Sequence, residues 1–320
     1  MKGFGDKHKS KKKSNEKTKL SKEQIINQAF RFHSQGNIQE AVKHYQNFID
    51  EGFSDYRVFS NYAVILKKLG KLKEAELSYR KAVEIKPDFV KAHYNLGNIL
   101  RDLGQLKEAE LSYRKAIELK PDFAKAHLNL GVILKDIGKL KEAKLSYSKA
   151  IELKPDYAEA YSNQGGILKD LGKLQDAEVF TRKAIKLNPN FADAYSNLGG
   201  ILKDLGKLQD AELSTRKAIK LNPDFAKAHY NLGNILSDLG NLKEAELSYC
   251  KAIKLNPDFA KAYYSLSLLQ NSDDNKIWED QIFSNSILNN NSKKDQIDIY
   301  FARANILHKE KNYRESAKYL

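Results

Sequence analysis

Apolar and small residues recur at spacings of three and four in two short stretches of residues 90–123. Such spacing places the residues of each stretch on one face of an α-helix. These faces comprise His93, Leu96, Gly97 and Leu100 in the first stretch and Ala109, Tyr113 and Ala116 in the second. Gly104 between them suits the left-handed conformation that often ends a helix, and Pro121 disfavours helix in the residue before it. The pattern predicts a helical hairpin whose small residues let its two helices approach closely.

The hairpin pattern repeats with a period of 34 residues along most of the chain. All six prolines follow that period, and they are Pro87, Pro121, Pro155, Pro189, Pro223 and Pro257. With each proline taken as position 32, six repeats begin at residues 56, 90, 124, 158, 192 and 226. An earlier repeat without proline begins at residue 22, and its small, glycine and aromatic positions are held by Ala29, Gly36, Ala41 and Tyr45. A single hairpin cannot bury both of its faces, so we expect seven repeats to stack into an all-α solenoid.

The repeat pattern weakens after residue 259. Residues 260–296 keep a first helix, but the second helix is degenerate. Four apolar residues retain its helical spacing, and these are Trp278, Ile282, Phe283 and Ile287. Residues 297–320 are predicted to form a partial repeat that stops inside a helix. We therefore expect seven full repeats over residues 22–259, then one degenerate and one truncated repeat.

Positive charge is concentrated at the N-terminus. The chain carries 55 Lys and Arg residues against 41 Asp and Glu residues, for a formal net charge of +14. Half of this excess, +7, lies in residues 1–22, which hold nine lysines against Asp6 and Glu16. With almost no apolar residues, residues 1–21 are expected to be a disordered tail, which suits tethering to nucleic acid or an anionic membrane. No arginine and only one aromatic residue accompany these lysines, so we favour a solubilising role.

Membrane and secreted proteins are disfavoured by the composition. The sequence has no run of about 18 apolar residues, which a membrane-spanning helix needs, and no secretion signal. Its single cysteine, Cys250, excludes an internal disulfide and a cysteine-based zinc site and fits a reducing compartment. We therefore expect a cytoplasmic protein, with the cysteine as an incidental thiol.

Neither a metal site nor a catalytic site is predicted. Position 4 is histidine in three repeats, which are those of His93, His127 and His229. Equivalent positions of adjacent hairpins lie about 8–10 Å apart, whereas a shared zinc ion needs its ligands at about 2.0–2.1 Å, so these histidines are interpreted as packing residues. The chain also lacks a phosphate-binding loop and a nucleophile paired with a base. We expect no cofactor, no metal and no enzymatic activity.

A row of asparagines marks the opposite stripe of the first helices. Position 6 is asparagine in all seven repeats, as Asn27, Asn61, Asn95, Asn129, Asn163, Asn197 and Asn231. Asparagine is a mediocre helix former, so solvation alone would not select it seven times. Its amide both donates and accepts hydrogen bonds and can pair with an extended peptide backbone of any sequence. A ligand-binding row is therefore predicted, with shared descent of similar copies as the alternative.

A second polar row stands at position 13, in the last turn of the first helices. It is formed by Asp102, Asp136, Asp170, Asp204 and Asp238. A carboxylate there faces the unfavourable end of the helix dipole. These aspartates either accept hydrogen bonds from hydroxyls or basic side chains of a peptide ligand or pair with nearby lysines and arginines, and both interpretations stay open.

The order of residue types within each repeat resembles the tetratricopeptide repeat. Leucine at position 7, a small residue at 8, alanine at 20, an aromatic residue at 24, alanine at 27 and proline at 32 recur, as in the stretch AHYNLGNILRDLGQLKEAELSYRKAIELKPDF. The resemblance covers residues 22–259 and implies a right-handed superhelix whose first helices line a concave groove. Thr181 and Thr215 replace the aromatic residue and Gln164 replaces leucine, so looser packing is expected in the middle repeats.

This resemblance implies a protein–protein interaction scaffold that holds an extended polypeptide in the groove. The asparagine row is similar to the one that holds the protein substrate in O-linked N-acetylglucosamine transferases, which implies the same role for the seven asparagines. The array also resembles those fused to sulfotransferase, glycosyltransferase or methyltransferase domains in bacteria. The alternative is therefore the substrate-recruiting arm of a truncated or split transferase.

Overall fold

A computed structural model of the chain describes residues 20–269 and 277–320. Within these residues the protein forms nineteen α-helices, one short 3-10 helix and no strand. The all-α prediction is confirmed. Of the lysine-rich tail predicted over residues 1–21, residues 1–19 lie outside the described residues. No helix in the described ranges combines the length and the apolar character that crossing a membrane requires.

The chain divides into two compact units, the first ending at Leu119 and the second formed by Lys120–Leu320. The first unit contains three hairpins, which pair α1 (Lys22–Ser34) with α2 (Ile38–Asp50), α3 (Tyr56–Lys68) with α4 (Leu72–Ile85), and α5 (Val90–Asp102) with α6 (Leu106–Leu119). The first helix of each hairpin begins at the residue where the 34-residue period starts a repeat.

The second compact unit contains four further regular hairpins. They pair α7 (Ala124–Asp136) with α8 (Leu140–Leu153), α9 (Ala158–Asp170) with α10 (Leu174–Leu187), α11 (Ala192–Asp204) with α12 (Leu208–Leu221), and α13 (Ala226–Asp238) with α14 (Leu242–Leu255). Consecutive hairpins contact one another within this unit, so it is an α-solenoid in its own right.

The contact between a small residue and an aromatic ring holds the two helices of a hairpin together. Tyr113 is fully buried, and a Cβ atom at Gly97 would lie 2.8 Å from its ring. The hydroxyl of Tyr113 donates to Asn98 Oδ1 at 2.8 Å. Gly104 joins the two helices with a φ of +74°, which only glycine adopts without strain. Local sequence and packing therefore favour the same hairpin.

The two repeats with threonine in place of the aromatic residue at position 24 are packed as closely there as the other repeats. Thr181 and Thr215 are fully buried, and each hydroxyl donates at 2.8 Å to the carbonyl oxygen four residues earlier in its own helix. A Cβ atom at Gly165 would overlap Thr181 Oγ1. Gln164 is buried too, and its Nε2 donates to Ser148 Oγ at 3.1 Å, whereas its Oε1 has no hydrogen-bond partner among the described residues. The predicted looseness is thus absent at the threonines, and Gln164 leaves one buried oxygen unsatisfied.

The C-terminal part differs from the predicted pair of repeats. After α15 (Ala260–Leu268), the predicted degenerate second helix consists of α16 (Ile277–Phe283) and α17 (Asn285–Asn290), which are separated at Ser284. The next helix, α18 (Lys293–Lys309), begins four residues before the predicted start at residue 297. The reason is local, because Ser292 Oγ accepts the backbone N–H of Asp295 at 3.2 Å and caps the helix there. The chain then ends with α19 (Tyr313–Ser316) and the 3-10 helix Ala317–Tyr319.

A buried arginine joins these last elements. Arg303 on α18 is 4% exposed, and its guanidinium donates to the carbonyl oxygens of Ile282 at 2.8 Å and Ser284 at 2.9 Å. The rings of Phe283 and Tyr319 lie within 6 Å of the same group. These contacts hold the guanidinium without a carboxylate partner among the described residues, and they bring the end of α16, α18 and the 3-10 helix together.

Two adjacent glycines provide a matched test of the hairpin contact. We expect Gly165→Ala to destabilise the protein by about 1–3 kcal/mol, because the added methyl group overlaps the buried Thr181. Gly166→Ala should raise stability by up to about 1 kcal/mol, because its nearest neighbour is the flexible Lys135 Nζ at 3.9 Å and alanine is the better helix former. Urea denaturation followed by far-UV circular dichroism measures both effects. Equal shifts of the two midpoints would contradict the packing described.

Candidate functional site

Four of the seven predicted asparagines line one surface of the second compact unit. They are Asn129, Asn163, Asn197 and Asn231, on the first helices of four consecutive repeats. This surface contains two cavities, of 410 and 370 Å³. The residues common to both cavities are Lys135, Gly166, Asn197 and Lys227. We call the surface formed by all residues that line the two cavities the groove.

The other three asparagines, Asn27, Asn61 and Asn95, belong to the first compact unit and are not part of the groove. Asn27 is exposed, and the other two are half-buried. Asn95 forms a hydrogen bond with Tyr79, the aromatic residue of the preceding repeat. Burial raises the pKa of Tyr79 to about 12, against the opposing effect of this bond.

Two asparagines of the groove also connect neighbouring first helices. Asn197 Nδ2 donates to Ser162 Oγ at 3.1 Å, and Asn231 Nδ2 donates to Ser196 Oγ at 3.0 Å. In both pairs the serine stands at position 5 of the preceding repeat. Asn197 Oδ1 accepts a long hydrogen bond of 3.4 Å from Lys227 Nζ. Position 6 therefore has a structural role in these repeats that the sequence pattern alone did not reveal.

The aspartate row forms ion pairs between repeats. The lysine at position 12 of one repeat contacts the aspartate at position 13 of the next. The Nζ to Oδ2 distances are 2.8 Å for Lys67 and Asp102, 3.7 Å for Lys135 and Asp170, 3.2 Å for Lys169 and Asp204, and 3.1 Å for Lys203 and Asp238. Asp136 also has an interaction partner. These distances agree with the interpretation in which the aspartates pair with nearby lysines. Asp170 is the member of the row that lines the groove.

These ion pairs are partly exposed and are worth about 0–1 kcal/mol each. Burial would raise the pKa of Asp102, but hydrogen bonds from Lys67 and Arg101 outweigh burial and lower it. The lysine also offsets the unfavourable position of a carboxylate at the end of a helix. The row therefore helps to align neighbouring repeats.

Lysines are the groove residues that the sequence pattern did not identify. The 410 Å³ cavity is lined by four of them, which are Lys135, Lys169, Lys227 and Lys261. Asp170 is the carboxylate among its lining residues. The signal was present in the sequence, because lysine recurs at positions 12 and 2, but lysines are common on any exposed helix. Only the stacking of the helices shows that lysines of several repeats reach one cavity.

Glycine at position 9 makes room for these lysines. A Cβ atom at Gly166 would lie 3.9 Å from Lys135 Nζ, and one at Gly200 would lie 3.0 Å from Lys169 Nζ. Both glycines belong to the repeats in which threonine replaces the aromatic residue at position 24. In two of the tyrosine repeats, position 9 is instead an asparagine that accepts the tyrosine hydroxyl at 2.8 Å, as Asn98 and Asn234 do. In the two threonine repeats there is no tyrosine hydroxyl for position 9 to accept, and the glycine at that position leaves open space.

Comparison with known families identifies the repeats. The family model of the cilia and flagella-associated protein 70 C-terminal domain, a tetratricopeptide-repeat domain, matches residues 6–263. The chain belongs to this family. Its repeats are tetratricopeptide repeats, as their residue order predicted. No curated protein sequence matches the chain.

Solved structures share the tetratricopeptide-repeat fold. A tetratricopeptide repeat protein from Parabacteroides merdae is similar with a TM-score of 0.65 and 19% identity, over 78% of this chain and 99% of that one. PilF of Pseudomonas aeruginosa has a TM-score of 0.54 and 20% identity, over 63% of this chain and 92% of that one. YrrB, a TPR protein with an unusual peptide-binding site, is 27% identical over 58% of this chain and 96% of its own, with a TM-score of 0.44. The first two of these structures confirm the α-solenoid fold, and the similarity to transferase arrays stays a prediction.

The position-4 histidines stabilise the turns between tetratricopeptide repeats. Their Nε2 atoms donate to the carbonyl oxygen of the proline six residues earlier, over 2.8 Å for His93, 3.0 Å for His127 and 2.9 Å for His229. Tyr263 makes the same contact with Pro257 through its hydroxyl, at 3.1 Å. The histidines are half-buried, so they pack at the repeat boundary and not in the centre of the core. In residues 20–269 and 277–320, no three His, Cys, Asp or Glu side chains are grouped to hold a metal ion.

The single cysteine lies on the second helix of a repeat, away from the groove. Burial raises the pKa of Cys250 to about 11, and the charge of Glu246 adds to this effect. At neutral pH the side chain is therefore a thiol, which is a poor nucleophile.

Alkylation tests this environment. At about pH 8 we expect iodoacetamide to react with folded Cys250 about one hundredfold more slowly than with the unfolded chain, because the raised pKa leaves about one hundredfold less thiolate. The rate should rise with pH towards the pKa. Mass spectrometry of the alkylated protein, with a urea-unfolded sample as the control, measures both rates. Equal rates in the two samples would show that the thiol is not shielded.

Proposed function

We propose that this tetratricopeptide-repeat protein is a scaffold that holds an extended polypeptide segment in the groove. The observation that carries the proposal is that Asn129, Asn163, Asn197 and Asn231 line two joined cavities on consecutive first helices. The tetratricopeptide-repeat fold is consistent with protein–protein interaction and is typically non-catalytic.

Hydrogen bonding to a peptide backbone suits the spacing of this row. Neighbouring packed helices lie about 8–10 Å apart, and an extended chain advances about 3.3 Å per residue, so one asparagine meets about every third ligand residue. Asn197 and Asn231 already donate through Nδ2 to serines, so their carbonyl oxygens are the atoms that accept ligand N–H groups. Such bonds recognise the backbone and do not depend on ligand sequence.

The remaining members of the two rows take different parts in the proposal. Asn27, Asn61 and Asn95 hold the same position in the first compact unit, and we extend the peptide-binding role to them as a separate surface. Asp170 is the aspartate that faces the groove, and it accepts from ligand donors. The ion pairs of Asp102, Asp204 and Asp238 give these residues a supporting role between repeats. The transferase-arm and tail-tethering alternatives stay predictions, because no contact among the described residues bears on them.

Replacement of the asparagines tests the proposal. Peptides are first selected on the wild-type protein from a random peptide display library, and their affinities are measured by fluorescence polarisation. The four substitutions Asn129→Ala, Asn163→Ala, Asn197→Ala and Asn231→Ala together should weaken binding by at least about tenfold, because each lost bond contributes about 0.5–1.5 kcal/mol.

A matched variant carries alanine at position 18 of the same four repeats, replacing Lys141, Gln175, Gln209 and Lys243. These exposed residues lie on the second helices. The control should keep its affinity, and circular dichroism should show both variants folded. Equal affinities of the asparagine variant and the wild type would remove the peptide-binding role and leave shared descent and helix-to-helix contacts as the reasons for the row.

A further inference from the structure

We infer that the polypeptide segment held in the groove is acidic, and that the cavity lined by Lys135, Lys169, Lys227 and Lys261 receives its anionic groups. This inference rests on the proposed binding of an extended polypeptide. It adds the chemical class of the ligand and the end of the groove that binds the negative charges of the ligand.

The charges of the lining residues are unevenly distributed along the groove. The 410 Å³ cavity has the four lysines against Asp170 alone. The adjoining 370 Å³ cavity has Lys135 and Lys227, with Glu159 and Asp193 opposing them. Positive charge is therefore concentrated at the end of the groove that holds the 410 Å³ cavity, whose four lysines lie on α7, α9, α13 and α15. An acidic ligand would place its carboxylates or phosphates at this end.

Two of the lysines have no carboxylate partner within the described residues. Lys135 and Lys169 form ion pairs with Asp170 and Asp204. Lys227 contacts the neutral amide of Asn197, and Lys261 is exposed without an ion pair. A surface lysine usually extends into solvent, but Lys227 projects into a concave site beside other ammonium groups.

The surroundings of Lys227 disfavour its charge. Although its side chain keeps access to solvent, burial by the walls of the groove lowers the pKa of Lys227, and Lys135 and Lys169 lower it further. Asp193 and Asp170 oppose this effect only in part. An anion placed among the three ammonium groups would replace repulsion by charge-assisted hydrogen bonds.

The space for such an anion comes from the two threonine repeats. Gly166 and Gly200 line the cavity with no side chain, directly beside Lys135 Nζ and Lys169 Nζ. Ser196 and Asn231 add polar groups to the same wall. The cavity therefore combines cations, hydrogen-bonding groups and room for a carboxylate or a phosphate.

Fluorescence polarisation with defined peptides tests the inference on the whole protein. The probes are fluorescein-labelled, C-terminally amidated peptides of about ten residues, which span about 30 Å when extended. In them serine alternates with glutamate, phosphoserine, glutamine or lysine. We expect the glutamate or the phosphoserine peptide to bind about tenfold more tightly than the glutamine peptide, with an affinity that falls as salt is added. Whichever of the two binds more tightly identifies the source of the anionic group.

Charge-removing variants locate the binding site. The pair Lys227→Gln and Lys261→Gln should weaken binding of the anionic peptides by about tenfold and leave the glutamine peptide unchanged. The pair Lys141→Gln and Lys243→Gln removes the same charge from exposed positions of α8 and α14 and serves as the control. Equal binding of anionic and neutral peptides, or equal effects of the groove and control variants, would overturn the inference.

Failure of the inference can be told apart from failure of the proposed function. If anionic and neutral peptides bind equally and the four asparagine substitutions weaken both, the inference falls and the proposed function stands. If the anionic peptides bind through the lysines but are insensitive to the asparagine substitutions, the preference for an acidic ligand is supported and the peptide-binding role of the asparagines is contradicted. Absence of binding by every peptide, defined or selected, would overturn both.

Discussion

Close approach of the two helices within a hairpin is the contact on which the rest of the structure depends. Gly97 has no space for a side chain beside the ring of Tyr113, and comparable small-against-large contacts recur through the repeats. Because this contact determines which face of the first helix points into the core, it also determines which face is left for the groove. The asparagine row is therefore positioned by packing on the other side of the same helices.

The threonine repeats show how a change in the core alters the surface. Thr181 and Thr215 satisfy their hydroxyls within their own helices, whereas Tyr113 reaches across the hairpin to Asn98. Position 9, which is an asparagine bonded to the tyrosine hydroxyl in two of the tyrosine repeats, is glycine in both threonine repeats. The lysines of the preceding repeats extend over these glycines. The threonine repeats therefore keep the close contact between their two helices, and the glycine at position 9 leaves space on the groove surface.

The sequence predicted the features that depend on periodicity and missed those that depend on distances between repeats. Proline spacing located the hairpins, and position 6 identified four residues that line one groove. The bonds from Asn197 and Asn231 to serines, and the convergence of the lysines, need the stacked helices to be known. At the C-terminus the weakened period no longer sets the boundaries, and a single cap at Ser292 determines where α18 begins. The division into two compact units likewise has no signature in a uniform repeat.

The ion pairs between repeats bear on how a chain of this kind can change its length during evolution. Lys135 requires an aspartate at position 13 of whichever repeat follows it, and that position is the same in each copy. Loss of residues 158–191 would bring Asp204 to the place of Asp170, with the same chemistry at the new junction. Duplication of one repeat would act in the same way. Unequal recombination of the gene can therefore lengthen or shorten the groove by whole steps, while the repeats on either side of the junction still match.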